Sequence, residues 1–331
     1  MGLNVLLINK FFYKKGGSET ALFDSAELLK KKGNKTAFFS MKHPDNFASE
    51  YSKYFVDNID FFITQSIWSK IKIVNKILFS FEAKTKLKKL LKTEKIDIAH
   101  LHNIAHQISP SILHVLKKNN IPVVMTLHDY KLVCGSYSML SQGEICENCK
   151  GGRYYQILNK KCKGSFVNNS IIILEMYLHH RLLNIYNNVD LFVSPSIFLI
   201  DKIKEMGFKG KFVYLPNFIE PSKYSPNYSW EQERIIYFGR LSKEKGIDTL
   251  ISAVKNIEVY LDIIGDGPEK TNLEEKVKLQ NIENVRFLGY KKGKELQDEI
   301  RNSMFVVIPS QWYENNPYSI IEAFALGKPV I

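Results

Sequence analysis

Short apolar runs alternate with longer amphipathic stretches along almost the whole chain, and that alternation restricts the fold more than any other feature. Runs rich in Val, Ile, Leu and Phe suit strands covered on both faces. The stretches between them, apolar at helical spacing, suit the crossover helices that parallel strands require. The expected class is α/β, with parallel sheets built from βαβ units. In the first half the expected strands are Val5–Asn9, Thr36–Ser40, Asp97–Leu101, Val123–Leu127 and Leu191–Ser194, with helices over Glu19–Lys32, Ser69–Lys92, Ser109–Asn119, Ile171–Asn187 and Phe198–Met206. In the second half strands are expected at Ile235–Phe238, Tyr260–Ile264, Val285–Leu288 and Phe305–Pro309. Helices are expected over Asp248–Lys255, Glu269–Leu279, Lys294–Asn302 and Ser319–Leu326.

The alternation pauses once, at Leu215–Glu233, where Pro216, Pro221 and Pro226 sit among Asn, Ser and Tyr. A chain of 331 residues is long for one domain, so this stretch reads as a linker. The expected division is a first Rossmann-like domain over 1–215, a linker over 216–233 and a second domain over 234–331. The last residues, Pro329–Ile331, look like one more strand, so the second domain is expected to be short of its final elements.

No stretch of about 18 apolar residues exists, so no membrane-spanning helix is expected. The start, MGLNVLLINKFFYKKGG, has an apolar run without a basic leader or a small-residue cleavage site. It reads as a buried first strand, and a cytoplasmic protein is expected. The formal charge of +12 points to nucleic acid, an anionic membrane face or anionic small substrates. No recognition helix, RNP-type motif or paired zinc finger is present, which argues against nucleic acid. Ile67–Lys95 holds nine lysines against two glutamates, interleaved with Ile71, Ile73, Ile77, Leu87, Leu90 and Leu91. Such a helix suits peripheral contact with an anionic bilayer; it equally suits packing on its own domain behind a solvated lysine face.

Several segments at strand ends carry candidate chemistry. Lys14-Lys15-Gly16-Gly17-Ser18-Glu19 joins the first strand to the first helix; Gly16 and Gly17 let backbone approach a ligand, Ser18 suits an N-cap and Glu19 the first helical turn. It is neither a dinucleotide fingerprint nor a Walker loop, and a plain turn explains it as well. Thr126-Leu127-His128-Asp129 ends the fourth strand, where doubly wound folds bind ligands. There His128 suits a bond to a sugar hydroxyl, with Asp129 or a backbone group orienting its ring; a structural histidine capping the strand is the alternative. In Phe238–Gly246, Arg240 and Lys245 make a workable clamp for a diphosphate across a tight loop. Gly265 and Asp266 supply another strand-end turn, which turn chemistry alone explains, contact with the nucleotide base of a donor being the functional alternative. The longest polar loop, Pro309–Pro317, leads into a helix starting near Tyr318 and Ser319. Glu314 and Glu322 can flank one cleft, with the free N–H groups of the helix start between them for phosphate. As a general acid/base pair they would instead suggest a hydrolase.

Taken together, Gly16-Gly17, His128, Ser194-Pro195-Ser196, Pro216-Asn217, Gly239-Arg240…Lys245-Gly246, Gly265-Asp266-Gly267-Pro268 and Glu314-x7-Glu322-Ala323 resemble, in order and spacing, the GT4 family of GT-B glycosyltransferases. The resemblance runs over essentially the whole chain. It implies two Rossmann-like domains facing across a cleft, with the nucleotide-sugar donor bound mostly by the second. Arg240 and Lys245 would hold the diphosphate and stabilise the leaving nucleoside diphosphate without a metal. Glu322 would bind ribose hydroxyls, Glu314 the donor sugar, and His128 the sugar from the first domain. The family retains anomeric configuration and needs no cofactor beyond its donor substrate. The acceptor would be a glycan or a polyprenyl-linked molecule, consistent with polysaccharide synthesis. The loop Asn315-Asn316-Pro317-Tyr318 departs from the commoner Gly/Pro-Phe-Gly type, which leaves the hexose contacts open. A GT-B-type epimerase or phosphorylase, or a sugar-binding protein, are the alternatives. No segment specifies the phosphate nucleophile or pyridoxal phosphate that a phosphorylase needs.

Cys134, Cys146, Cys149 and Cys162 all lie in an insertion at about 131–165. The spacing C-x11-C-x2-C-x12-C permits a structural four-thiolate zinc site, with free thiols as the alternative.

Overall fold

The computed structural model describes residues 2–59, 67–230 and 232–331; the side chains of 67–72 lie outside that description. The chain forms two compact units, one of Met1–Ser141 with Cys146–Pro216, the other of Gln142–Ile145 with Asn217–Ile331.

The first unit begins with β1 (Asn4–Ile8), α1 (Gly17–Lys31) and β2 (Lys35–Phe39), followed by α2 (Ile67–Leu78) and α3 (Phe81–Thr93). Next come β3 (Ile98–Leu101), α4 (Ile112–Lys118) and β4 (Val123–Thr126), then the short β5 (Leu140–Ser141) and, after β6 (Glu144–Ile145), which belongs to the other unit, α5 (Gln156–Asn159). The unit closes with α6 (Phe166–Tyr177), β7 (Leu191–Ser194), α7 (Ile197–Glu205) and β8 (Phe212–Tyr214). Its sheet has the order β2-β1-β3-β4-β7-β8 with every pairing parallel. The chain moves from β1 outward to β2 and then returns to the other side of β1 for β3. The crevice beyond the carboxyl ends of β1 and β3 is therefore the switch point where doubly wound sheets take ligands.

Two helices depart from expectation for local reasons. The stretch Ser69–Lys92 is two helices, because Ser80 caps α3 by accepting from the Ala83 N–H at 3.1 Å. A serine that bonds its own backbone in this way ends one helix and starts the next. Helix α6 starts five residues ahead of Ile171, at Phe166, behind the Ser165 cap, and gives way to a single π turn at Leu178–Leu182. Helix α3 buries Ala83, Leu87 and Leu90 within its own unit, while Lys88, Lys89, Lys92 and Lys95 remain exposed. Lys76 and Lys86 pair with Glu82, each at 2.7 Å. Helix α3 thus turns Ala83, Leu87 and Leu90 inward and offers lysines outward, with Phe81 exposed at its start.

The second unit contains β9 (Arg234–Phe238), α8 (Ile247–Val254), β10 (Tyr260–Ile264), α9 (Lys270–Leu279), β11 (Val285–Gly289), α10 (Gly293–Arg301) and α11 (Tyr318–Ala325). The parallel sheet runs β11-β10-β9. The segments expected as strands at Phe305–Pro309 and Pro329–Ile331 form only single bridges, Ile236 to Val306 and Val306 to Val330. Hydrogen bonds nevertheless carry the ladder on: Val307 N–H to Ile236 O at 2.9 Å and Ile308 N–H to Ile331 O at 2.7 Å. Both faces of β9 are buried, Ile235 and Tyr237 in one core cluster, Ile236 and Phe238 in another. Double burial explains why this strand reads as an unbroken apolar run.

Candidate functional site

In the first unit, loops after three neighbouring strands converge. Asn9 follows β1 and is buried. Its side chain donates to Phe11 O at 2.8 Å and to Glu19 Oε1 at 3.0 Å, and accepts from the Asn103 N–H at 3.0 Å. One amide thereby ties the loop after β1 to the loop after β3 and to the first turn of α1. Glu19, buried in that turn, also accepts from Ser18 Oγ at 2.8 Å. The N-cap of α1 is Gly16, with no side-chain cap, and the helix starts at Gly17, so the expected Ser18 cap is corrected. Ser18 lies inside the helix because its hydroxyl is engaged by Glu19. A Cβ on Gly16 would meet only Glu19 Oε2 at 3.7 Å, ordinary contact, so its own fold does not require a glycine there.

Around this anchor lies a pocket lined by Lys10, His102, His106, His128, Asp129 and Lys131, among others. His100 and His102 stand two apart at the end of β3, and Thr126 and His128 two apart at the end of β4. Period-two geometry puts each pair on one face. His100 Nε2 meets Thr126 Oγ1 at 2.7 Å, and His102 Nδ1 meets His128 Nε2 at 2.8 Å, the two latter rings stacked with centroids 5.1 Å apart. The partner of His128 is thus His102, not Asp129. The expected orienter is corrected because Asp129 Oδ1 turns to the Lys131 N–H at 2.8 Å.

Burial keeps these rings neutral. It lowers His100 to about 4 and, with Coulombic contributions from His100 and Lys10, His128 to about 3; it also holds His102 well below the usual imidazole range. Burial raises the Asp129 carboxyl. Behind the pocket, the fully buried Glu175 accepts from Lys131 Nζ at 2.8 Å and faces His106 Nε2 at 3.3 Å. Burial pushes the Glu175 carboxyl up, yet Lys131 and His106 outweigh it and hold it below the usual carboxylate range.

In the second unit three loops interlock at the carboxyl ends of the sheet. The Leu241 N–H donates to Asp266 O at 2.9 Å, and the Gln311 N–H to Glu244 O at 2.8 Å. Gly265, at φ +147°, sits where a Cβ would overlap the carbonyl of Gly239. Gly246, at φ +68°, sits where one would overlap the carbonyl of Pro309. Both glycines are therefore required by close backbone approach. The result brings Lys245 to Glu314, Nζ to Oε1 at 2.6 Å, with Ser310 Oγ on the same carboxylate oxygen at 2.5 Å and the Trp312 ring 5.1 Å from Nζ. Burial raises the Glu314 carboxyl, but Lys245 first, then Ser310 and Trp312, bring it below its ordinary value.

Arg240 is exposed, and its guanidinium makes no ion pair among the described residues. Helix α11 begins behind Pro317 with no side-chain cap, so the N–H groups at Tyr318 and Ser319 face outward from a positive helix end. Asn316 supports the approach in the left-handed region, φ +47°, and its carbonyl accepts from Asn217 Nδ2 at 2.8 Å. Glu322, one turn in, accepts from Tyr224 OH at 3.2 Å.

The residues missed from the sequence are Lys10, His102, His106, Lys131 and Glu175 in the first unit, and Tyr224, Ser310 and Trp312 in the second. The pattern His100-x-His102 at an expected strand end was a usable signal for one of them; Glu175, deep in an amphipathic helix, offered none. The four cysteines are free. Burial, with the thiols of Cys134, Cys162 and Cys146 nearby, pushes Cys149 up to about 12, and Cys134 Sγ lies 3.1 Å from Ser136 Oγ. Among the described residues no group of three or more His, Cys, Asp or Glu side chains is arranged to hold a metal ion. As placed, the thiols do not form a ligating set.

Comparisons with known proteins cover both units. The profile of Glycosyltransferase Family 4 matches residues 15–223, and that of Glycosyl transferases group 1 matches residues 223–331. An uncharacterized glycosyltransferase of Methanocaldococcus jannaschii is 26% identical over 252 residues, spanning 74% of this chain and 58% of that protein. The chain thus spans well under two thirds of that relative's length. The lipopolysaccharide core biosynthesis glycosyltransferase LpsD of Rhizobium meliloti is 32% identical over 116 residues, 33% of this chain and 34% of that one. Among solved structures, sucrose-phosphate synthase of Thermosynechococcus elongatus superposes with a TM-score of 0.70 at 17% identity, over 99% of this chain and 80% of that one. Anabaena HepE, solved with UDP and glucose, gives 0.61 at 16% identity over the same shares.

Proposed function

The chain belongs to glycosyltransferase family 4, and from that premise we propose that it is a retaining, metal-independent glycosyltransferase. It moves a sugar from a nucleoside diphosphate sugar to a glycan or lipid-linked acceptor, in cell-surface polysaccharide synthesis at the cytoplasmic side. The observation that carries this reading is the interlocked loop cluster of the second unit. It gathers Lys245, Glu314 and the loops bearing Arg240, Gly265 and Asp266 at one sheet end.

The chemistry follows from charge. Breaking the bond between an anomeric carbon and a diphosphate leaves negative charge on the departing oxygen, and preorganised donors that stabilise it lower the barrier. Arg240 and Lys245 supply cations, and Pro317, Tyr318 and Ser319 supply the open helix start. Glu314 orients the donor sugar and Glu322 the ribose hydroxyls, carboxylates being good acceptors for neutral O–H groups. In the first unit His128 contacts the sugar, and Gly16-Gly17 leave backbone N–H groups accessible to phosphate or acceptor. Front-face departure and attack through an oxocarbenium-like state retains configuration, provided the acceptor hydroxyl is aligned.

Lys88, Lys89, Lys92 and Lys95 provide peripheral electrostatic contact with anionic lipid. A zinc ion would require the four cysteines to converge; stoichiometric zinc in the purified protein, lost in Cys149→Ser, supports it.

The test of the main reading is calorimetry with UDP, GDP and ADP, with and without Mg²⁺, followed by a donor panel. Binding without metal that disappears in Arg240→Ala supports the assignment. Affinity indifferent to that change, or strictly dependent on Mg²⁺, removes it.

A further inference from the structure

We propose that His102 is a positioning residue that fixes the tautomer of His128, so that His128 presents an Nδ1–H donor to the ligand in the first unit's pocket. Each neutral imidazole carries one N–H, and the 2.8 Å contact between His102 Nδ1 and His128 Nε2 needs one hydrogen between them.

Two arrangements supply it. If His128 donates from Nε2, His102 must carry its own hydrogen on Nε2. That atom is buried and has no hydrogen-bond partner among the described residues, in a residue only 1% exposed. An unmet N–H in such a place bears the full cost of desolvation. If His102 donates from Nδ1, its Nε2 is left as a bare lone pair, and orphaned acceptors are better tolerated than orphaned donors. The second arrangement therefore prevails. It leaves His128 protonated on Nδ1, the ring nitrogen not engaged by His102, in a residue that lines the pocket.

A doubly protonated ring is opposed by the surroundings. His100, with its ring 4.5 Å from that of His102, and the Lys10 ammonium both stand against added positive charge, and burial acts in the same direction. Asp129 turns to the Lys131 N–H, and Glu175 is occupied by Lys131 and His106. His128 is thus a fixed neutral donor, suited to an oxygen with a free lone pair: a sugar hydroxyl in its acceptor role. Identification of that ligand as a sugar rests on the function proposed above; the tautomer does not.

The two are separated by one set of measurements on the ¹⁵N-labelled full chain. Long-range ¹H–¹⁵N correlations of the imidazoles should report Nδ1–H tautomers for both His102 and His128. In His102→Phe, His128 should shift toward the Nε2–H form. In His102→Asn, whose amide can donate to Nε2, it should return to Nδ1–H. Circular dichroism establishes that each variant is folded, and the Asn variant carries the test if the Phe variant is not. With a transferable donor, turnover should fall about tenfold to a hundredfold in His102→Phe, with nucleotide affinity unchanged. An Nε2–H tautomer of His128 in the unmodified protein, or one indifferent to residue 102, overturns the proposal. Correct tautomers with no transfer from any nucleotide sugar would instead count against the function.

Discussion

All eight histidines of the chain lie in the first unit, and none in the second. In the first unit burial holds the imidazoles of His100, His102 and His128 uncharged at neutral pH, beside a pocket that Lys10, Asp129 and Lys131 also line. The second unit's loop cluster keeps its charges, with Lys245 and Glu314 each about one fifth exposed and Arg240 open to solvent. Under the proposed function, the contrast assigns different parts of a sugar nucleotide to the two kinds of chemistry. Uncharged hydroxyls call for oriented dipoles, and a diphosphate calls for cations that remain partly hydrated and adaptable.

The largest expected effect lies where the first unit departs from its own rule, at Glu175. Replacing it with Ala strands Lys131 beside His106 in a buried setting and should cost about 3–5 kcal/mol of stability, read from denaturant midpoints. A change under about 1 kcal/mol would mean that the pair is solvated, and the contrast with the second unit would weaken. Next comes the cation clamp. Arg240→Ala should weaken UDP or GDP binding by about tenfold to a hundredfold, as expected for a charged hydrogen bond worth about 1.5–3 kcal/mol. His128→Ala should do the reverse, sparing nucleotide affinity while lowering turnover about tenfold or more. If both variants alter the same parameter, the two units do not divide the substrate.

Acid sharpens the comparison. Histidines whose folded pKa lies below the ordinary value bind fewer protons folded than unfolded, so stability is fully present above about pH 6.5 and falls as pH drops below it. His100, with a folded value of about 4, and His128 and His180, at about 3, each contribute up to about 1.4 kcal/mol per pH unit within that window. Between pH 7 and 5 the loss should therefore appear in probes of the first unit and leave the second flat. Equal sensitivity of both would contradict it. The smallest effect is expected for Tyr224→Phe, which removes one 3.2 Å bond to Glu322. It should reduce nucleoside affinity by about 0.5–1.5 kcal/mol, less than Glu322→Ala does.

Much of this was open to reading in the sequence. The apolar runs placed β1, β3, β4, β7, β9 and β10 within a residue or so, because doubly buried strands cannot hide their composition. The sequence reads as one helix across Ser80, because a mid-helix serine and a capping serine look alike until the backbone around them is placed. The strands expected at 305–309 and 329–331 were the right segments, yet each holds only one bridged pair.

What the sequence determined by itself was periodicity, the order of elements and the residue types waiting beyond strand ends, Gly16, His128, Arg240, Lys245 and Glu314, with Glu322 in the helix that follows. These are properties of neighbours along the chain, where the 2.0 and 3.6 periods apply. Tertiary structure alone decided which of those groups meet. Lys245 and Glu314 lie 69 positions apart, His102 and His128 lie 26 apart, and Lys131 and Glu175 lie 44 apart. Such partners are chosen by strand order and loop interlock, and the protonation of each follows from burial, which no local pattern encodes.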